Sequence, residues 1–490
     1  MQLNAIPREI WMEILSYLSF KELKEFILVS RFCKEIGEDP ILWKSICLKI
    51  SYSNKRNIIE AVKLPRLSLV TKVSIVSKNA LNSEVISSLE NLKLERVTLN
   101  SSSYSYNLYS DSDSDCSSDS ESDSYIDNDY EFYISPNDMN FFSRISFVDI
   151  EGCNLSKHLI EEFFSCLTTK ESRVEYLSIG RVKLSGIEPE TFAKALAKIK
   201  HVVIITREPR YKIKKIQTYH LFEALNSSDS KLEKLEIMTN ADLSHIESEK
   251  LVNAVTRMKM ARIENCNLQA CQVSALCIAL AEDAGDLEDL GLSYNIEVSE
   301  VPPLVLGKAF RKITSVIIQS CFWRDPDKIS AFLEVLQEDV GNMKELDLGL
   351  TSSLQYNDDV PSSLICQVLR QLVTVSINNV WEDIFENPRK ILEEINRNPG
   401  KLENLNIAHN SLSRIDVKLL VNSFRKFKTI DALGCKLTPF QVCALIKALN
   451  NNSGKLKTLK LGNQLEELSK EEQEFIKPAL AALKSKVKVI

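Results

Sequence analysis

The 490-residue chain has no run approaching about 18 apolar residues, so nothing in it reads as a membrane-spanning helix. Its opening, Met1-Gln2-Leu3-Asn4 with Arg8 and Glu9 close behind, lacks the pattern of a secretory signal. Histidine is scarce: His158, His201, His220, His245 and His409 are the whole set, none in H-E-x-x-H or beside a pair of acids at metal spacing. There is no C-x-x-C among the 12 cysteines, no phosphate loop and no G-x-S-x-G. Glycine, at 13, is too sparse for a collagenous or glycine-linker protein. No charge dominates either, since 61 Lys+Arg against 67 Asp+Glu gives −6. Nine of the acids (Asp111, Asp113, Asp115, Asp119, Glu121, Asp123, Asp127, Asp129 and Glu131) fall in residues 101–135, which contain no Lys or Arg, so the remainder carries 61 − 58 = +3. A general polyanion binder, with its clustered basic charge, is disfavoured. These absences predict a cytoplasmic or nuclear chain with mostly reduced thiols, no metal or cofactor, and neither nucleic acid nor membrane as partner.

What is present is a repeat. L-x-x-L-x-L, with conservative swaps, recurs at Leu232-Leu235-Ile237, Leu287-Leu290-Leu292, Met343-Leu346-Leu348, Leu402-Leu405-Ile407 and Leu456-Leu459-Leu461, with first positions 55, 56, 59 and 54 residues apart. Between these lies a weaker set: Met258-Ala261-Ile263, Ile313-Val316-Ile318, Leu372-Val375-Ile377 and Phe427-Ile430-Ala432. The series extends upstream through Ile199-Val202-Ile204, Val174-Leu177-Ile179, Ile145-Val148-Ile150, Leu94-Val97-Leu99 and Val70-Val73-Ile75. The unit is therefore roughly 28 residues in two alternating types, about 14 copies in all. Leu268 to Leu280 and Leu437 to Leu449 superimpose as apolar stripes at helical spacing, giving each unit a helix after its strand. One strand and one helix cannot bury their apolar faces alone, but stacked copies can.

Residues 67–490 resemble ribonuclease-inhibitor-type leucine-rich repeats. The resemblance implies an α/β fold: a curved solenoid with a parallel inner sheet and outer helices. In that family Asn or Cys occupies a buried turn after the strand, and here Cys153, Cys266, Cys321 and Cys435 fill the slot in one repeat type while Asn240, Asn295 and Asn410 fill it in the other. A side chain there can satisfy backbone groups left unpaired where the chain leaves the strand. Trp323 takes a leucine slot, and Cys271, Cys277 and Cys443 fall on the apolar helix stripe.

Between Leu99 and Ile145 the spacing is about 25 residues too long for one repeat. The excess is the Ser/Asp-rich stretch, read as a disordered insert over 101–138 because a polar, like-charged run buries too little surface to offset its ordering entropy. Ser110, Ser112, Ser118, Ser120 and Ser124 each have an acid three residues on, which resembles the acidic consensus of casein-kinase-type enzymes. A solvated spacer explains the same composition.

Residues 1–50 fall outside the repeat and read as three or four short helices, followed by a linker over 51–66. Pro7 suits a helix start, Ile10, Ile14, Leu15 and Leu18 form one stripe, Ser19 with Glu22 resembles a capping box, and Asp39-Pro40 opens a further helix carrying Leu42 and Trp43. So few residues make a marginal core unless something covers the apolar surface. The run from Ile6 to Trp43 resembles an F-box: Pro7, Glu9, Ile10, Ile14, Leu15, Leu18, Leu23, Val29, Ser30, Arg31, Leu42 and Trp43 stand at family spacing, with Ile6 in place of the usual leucine. The resemblance implies that these residues bind a Skp-type adaptor and, through it, a cullin. The chain would then be the non-catalytic substrate-recognition subunit of an SCF-type ubiquitin ligase, with repeats that bind a protein substrate. An F-box adaptor acting outside ubiquitination is the alternative. A GTPase-activating protein, by analogy with the repeat-built Ran activator, is a third and leaves the F-box unexplained. The strand pattern places Phe147, Asp149, Tyr176, Ser178, His201, Val203 and Ile205 on the face away from the core, as an aromatic and apolar patch for substrate. Later units offer Glu264, Asp289, Glu345 and Asp347 on the same face.

Overall fold

A computed structural model describes residues 7–16, 18, 20–45, 47–51, 59, 69–76, 82–100, 135–153, 155–206, 211, 213–239, 241–321, 326–350, 360–379 and 387–490. Ile6, Ser19, Asn240, Trp323 and residues 101–134 of the insert lie outside them. The chain divides into two compact units, Met1–Leu232 and Glu233–Ile490.

The first unit opens with four short helices, α1 (Arg8–Ser16), α2 (Phe20–Ile27), α3 (Arg31–Gly37) and α4 (Pro40–Ser45). Six strands follow, β1 (Cys47–Ile50), β2 (Lys72–Ile75), β3 (Arg96–Asn100), β4 (Phe147–Glu151), β5 (Tyr176–Gly180) and β6 (His201–Thr206), each pairing in parallel with the next. A helix packs behind the sheet between successive strands from β2 onward. Phe142, Phe163, Phe164, Phe192 and Phe222 from these helices are fully buried.

The second unit continues the pattern with β7 (Lys234–Thr239), β8 (Met260–Glu264), β9 (Asp289–Gly291), β10 (Ser315–Ile317), β11 (Glu345–Asp347), β12 (Thr374–Ser376), β13 (Asn404–Asn406), β14 (Thr429–Asp431), β15 (Thr458–Lys460) and β16 (Lys488–Val489), again parallel throughout. The L-x-x-L-x-L series coincides with β2 through β15, and its second and third positions sit in the core. The two-type alternation has a structural counterpart. Strands β7, β9, β11 and β13 are followed by 8-residue helices, whereas β8, β10 and β14 are followed by 13-residue helices and β12 by one of 11. Leucine-rich-repeat structure is thus present in both units. The strands also start one before the series, at β1, and end one after it, at β16.

The Ser/Asp-rich stretch leaves and re-enters inside a single repeat, because β3 pairs directly with β4, Arg96 opposite Phe147. Its last four residues, 135–138, are among the described ones. Ser135 donates its backbone N–H to Asp138, Pro136–Asp138 form a 3₁₀ turn, and Ser83 donates to the same carboxylate at 2.6 Å.

The buried turn after each strand is where the repeats are joined. From β8 to β15 each strand exits through a residue with φ near +50° to +63°: Asn265, Tyr294, Ser320, Leu350, Asn379, His409, Gly434 and Gly462. Most of these are not glycine, so the left-handed backbone has to be held by its surroundings. At five of them the next residue does this. The thiols of Cys266, Cys321 and Cys435 donate to the carbonyls of Ile237, Leu292 and Ile407, each in the preceding repeat. Asn295 and Asn410 do the same to Ile263 and Ile377 at 2.7 and 2.8 Å, and Asn295 also accepts from the N–H groups of Cys266 and Leu268. Burial pushes the Cys321 and Cys435 thiols up to about 12. Cys277 and Cys443 are buried as expected, but Cys271 is exposed: it stands in the first turn of helix Ala270–Glu282, off the packed stripe.

Two further ladders were not read from the sequence. Gln217, Gln272 and Gln441 are buried at the third position of their helices, accept the N–H of their own N-cap residue, and donate to two carbonyls of the preceding repeat. Gly285, Gly341, Gly400 and Gly454 have positive φ and lie against the carbonyls of Thr256, Arg311, Arg370 and Arg425, where a Cβ would come within 2.5 Å of the oxygen. Only glycine fits that turn. Among the described residues no helix is long and apolar enough to cross a membrane.

Candidate interaction surfaces

The N-terminal helices have a small, filled interior. Trp11 of α1 packs against Phe26 and Phe32, with ring centroids 5.8 and 5.9 Å apart, and Leu15, Leu23, Ile27, Cys33, Ile36, Leu42 and Trp43 are buried around it. Trp43 donates its indole N–H to the Gly37 carbonyl at 2.9 Å, satisfying its one polar atom. Ser30 caps α3 by accepting the N–H of Cys33 at 3.1 Å. Asp39 caps α4 by accepting the Ile41 N–H at 2.9 Å, and its other oxygen takes the Arg8 guanidinium, tying α1 to α4. The Arg8 hydrogen bond holds the Asp39 carboxyl below the usual range. Since α4 leads into β1 with no intervening element, the helices are anchored to the first strand of the sheet.

This interior separates the residues of the N-terminal motif into two groups. Leu15, Leu23, Leu42 and Trp43 hold the helices together and are closed to a partner. Pro7, Glu9, Ile10, Ile14 and Val29 face solvent and Leu18 is half-buried. Ile10 is 46% exposed, Ile14 45%, Val29 70%, and two residues absent from the sequence reading join them, Leu28 at 80% and Ile41 at 68%.

The second surface is the sheet face turned away from the helices. In the first unit one register row runs Cys47, Lys72, Arg96, Phe147, Tyr176 and His201 across β1 to β6. Phe147 and Tyr176 stack with centroids 3.9 Å apart and planes 3° off parallel; His201 meets Tyr176 edge-on at 4.7 Å, and the Arg96 guanidinium lies 3.7 Å above the Phe147 ring. Phe147, Tyr176, His201 and Ile205 are partly exposed on this face, but Val203 is buried. Asp149 lies in the next row, pushed up by burial despite a hydrogen bond from Ser178.

The same face in the second unit is acidic and internally paired. Arg262 binds Asp289 through two bonds of 3.0 and 2.8 Å and reaches Glu236 at 3.5 Å, while Gln319 donates to Asp347 at 2.7 Å. Burial pushes Glu264 up to about 7, with Arg262 opposing and Glu236, Asp347 and Asp289 reinforcing the shift.

Residues 3–49 match the family described as F-box-like. The chain carries an F-box-like domain. Leucine-rich-repeat structure follows it. The F-box-like match spans the helices built around Trp11 and Trp43 and runs into β1, and its residues supply both the helices' core and their exposed apolar side chains. Two solved structures are similar over longer spans. One is a complex of Rad7 and Elc1 from yeast, at 14% identity over 100% of this chain and 98% of that one, with a TM-score of 0.45. The other is the leucine-rich repeat-containing protein LegL7 from Legionella pneumophila, at 16% identity over 55% of this chain and 85% of that one, with a TM-score of 0.40. No curated protein matches the sequence.

Proposed function

We propose that this chain is the substrate-recognition subunit of a cullin-based, SCF-type ubiquitin ligase. The F-box-like domain binds a Skp-type adaptor, and the repeats bind a protein substrate through the sheet face around Phe147, Tyr176, His201 and Ile205. On this reading the chain is a non-catalytic subunit, and transfer chemistry belongs to its partners. The observation that carries it is the set of exposed apolar side chains, Ile10, Ile14, Leu28, Val29 and Ile41, on a domain whose interior is already full. Isolated exposed leucines are ordinary, but five on about forty residues of a matched adaptor-binding family call for a cover. Pro7, Glu9 and Leu18 border that set, whereas Leu15, Leu23, Leu42 and Trp43 act by holding its shape.

Co-expression with a Skp-type adaptor tests the reading. The wild-type chain is expected to co-purify with it stoichiometrically. Ile14→Asp combined with Val29→Asp is expected to abolish this without unfolding the helices, because both positions face solvent and only the bound state would bury the new carboxylates. Stoichiometric binding by the double variant would refute the assignment.

A further inference from the structure

The exposed face of β1 to β3 carries three cations and no acid. Its outward positions are Cys47 and Lys49, Lys72 and Ser74, and Arg96, Thr98 and Asn100, between the buried pairs Leu48 and Ile50, Val73 and Ile75, and Val97 and Leu99. Among the described residues neither Lys72 nor Arg96 forms an ion pair. This contrasts with the second unit, where Arg262 is held by two carboxylates. Arg96 is also pre-positioned. The Phe147 ring holds its guanidinium carbon 3.7 Å from the ring centroid, a cation–π contact that fixes the end of the side chain. Strands stand about 4.8 Å apart, so the row Lys72, Arg96, Phe147, Tyr176 spans roughly 14 Å, or four to five residues of an extended chain.

We infer that this face takes an extended protein segment that is acidic at one end and aromatic or aliphatic at the other, with carboxylates on Lys72 and Arg96 and apolar side chains on the Phe147–Tyr176 stack. The inference rests on the reading of the repeats as the partner-binding part and names the class of partner. Charge complementarity carries it, since two cations outside any ion pair among the described residues, beside a stacked ring pair, match a mixed acidic and apolar sequence. A nucleic acid fits less well. Its affinity comes from many phosphate contacts, whereas three cations are followed directly by Asp149 and Glu151 on β4.

The test uses the full chain and labelled peptides of equal length that differ only in how many glutamates precede a shared Phe-Leu pair, read by fluorescence anisotropy at low salt. Affinity is expected to rise with glutamate number, and to fall about tenfold or more in the variant combining Lys72→Glu with Arg96→Glu. Both substitutions are on a solvent-facing row, and hydrogen exchange on the same sample verifies the fold. A flat response to glutamate number, unchanged affinity in the folded variant, or tighter binding of an oligouridine of equal length would overturn the inference. Adaptor co-purification is scored separately. Its failure removes the ligase reading and leaves the peptide result standing, whereas a flat peptide series with the adaptor retained removes this inference alone.

Discussion

The F-box-like helices and the repeats dispose of apolar residues in opposite ways. In the repeats, the second and third positions of each strand motif are almost entirely shielded, because every copy borrows its neighbours' surface to finish its own core. The helices of residues 8–45 are not copies of the repeat. They enclose Trp11, Leu15, Leu23, Leu42 and Trp43 and leave Ile10, Ile14, Leu28, Val29 and Ile41 outside. A domain this small has little interior to spend, so its stability and its binding surface draw on the same few residues.

The largest expected effect follows from that shortage. Leu23→Ala empties a fully buried site, which ordinarily costs about 2–5 kcal/mol. In the small helical domain that loss is expected to remove amide protection across α1 to α4 and to end adaptor binding with it, while the repeats of the second unit keep theirs. Val29→Ala, at an exposed site, is expected to leave protection unchanged and to weaken only binding. Hydrogen exchange on both variants checks this. Equal protection in the two would mean that the helices draw their stability from somewhere other than their own core.

The strand positions were legible because the spacing that hides two residues of each strand also marks them in sequence. The two end strands were not, since each has a polar residue where the motif begins: Ser45 stands three before Leu48 of β1, and Lys486 three before Val489 of β16. The glutamine and glycine ladders escaped because each repeat contributes a single residue, ordinary in a helix or a turn, whose role appears only when the carbonyl of the preceding repeat is placed against it. In the F-box-like domain the motif drew all its apolar positions together. Sequence alone could not divide them, because Leu15 and Ile14 are chemically alike and differ only in which way the helix turns them.

The two alternating turn slots differ in strength, and that difference gives an intermediate prediction. Asn295 donates to the carbonyls of Ile263 and Leu292 and accepts the N–H groups of Cys266 and Leu268, all in the interior. Cys266 donates to the carbonyls of Ile237 and Glu264 through a thiol, a weak donor. Each buried backbone group left without a partner costs about 1–3 kcal/mol. Asn295→Ala is therefore expected to destabilise the second unit by several times as much as Cys266→Ala, read as the denaturation midpoint. Comparable losses would show that packing, and not hydrogen bonding, dominates at the slot.

The smallest effect is a difference in pH dependence between the same two regions. Asp39 in the helical domain is held below its ordinary 3.8, chiefly by the Arg8 hydrogen bond, so its contribution is present at neutral pH and is lost only as acid drives the pH down through that lowered value. Glu264 in the second unit has the opposite shift. Its carboxyl sits near 7 when folded and near 4.5 when unfolded, so between those values the folded state holds a proton that the unfolded state has released. Stability linked to Glu264 is therefore greatest at low pH and declines as the pH rises through about 7. Glu264→Gln keeps the size and hydrogen-bonding capacity of the side chain and removes its titration. The second unit of the variant is expected to gain stability relative to wild type between about pH 5 and about pH 8, while protection of α1 to α4 follows the same pH profile in both proteins. A wild-type profile for the second unit that Glu264→Gln leaves unchanged would place the uncompensated charge of the acidic face on Asp347, the other carboxyl there that burial raises.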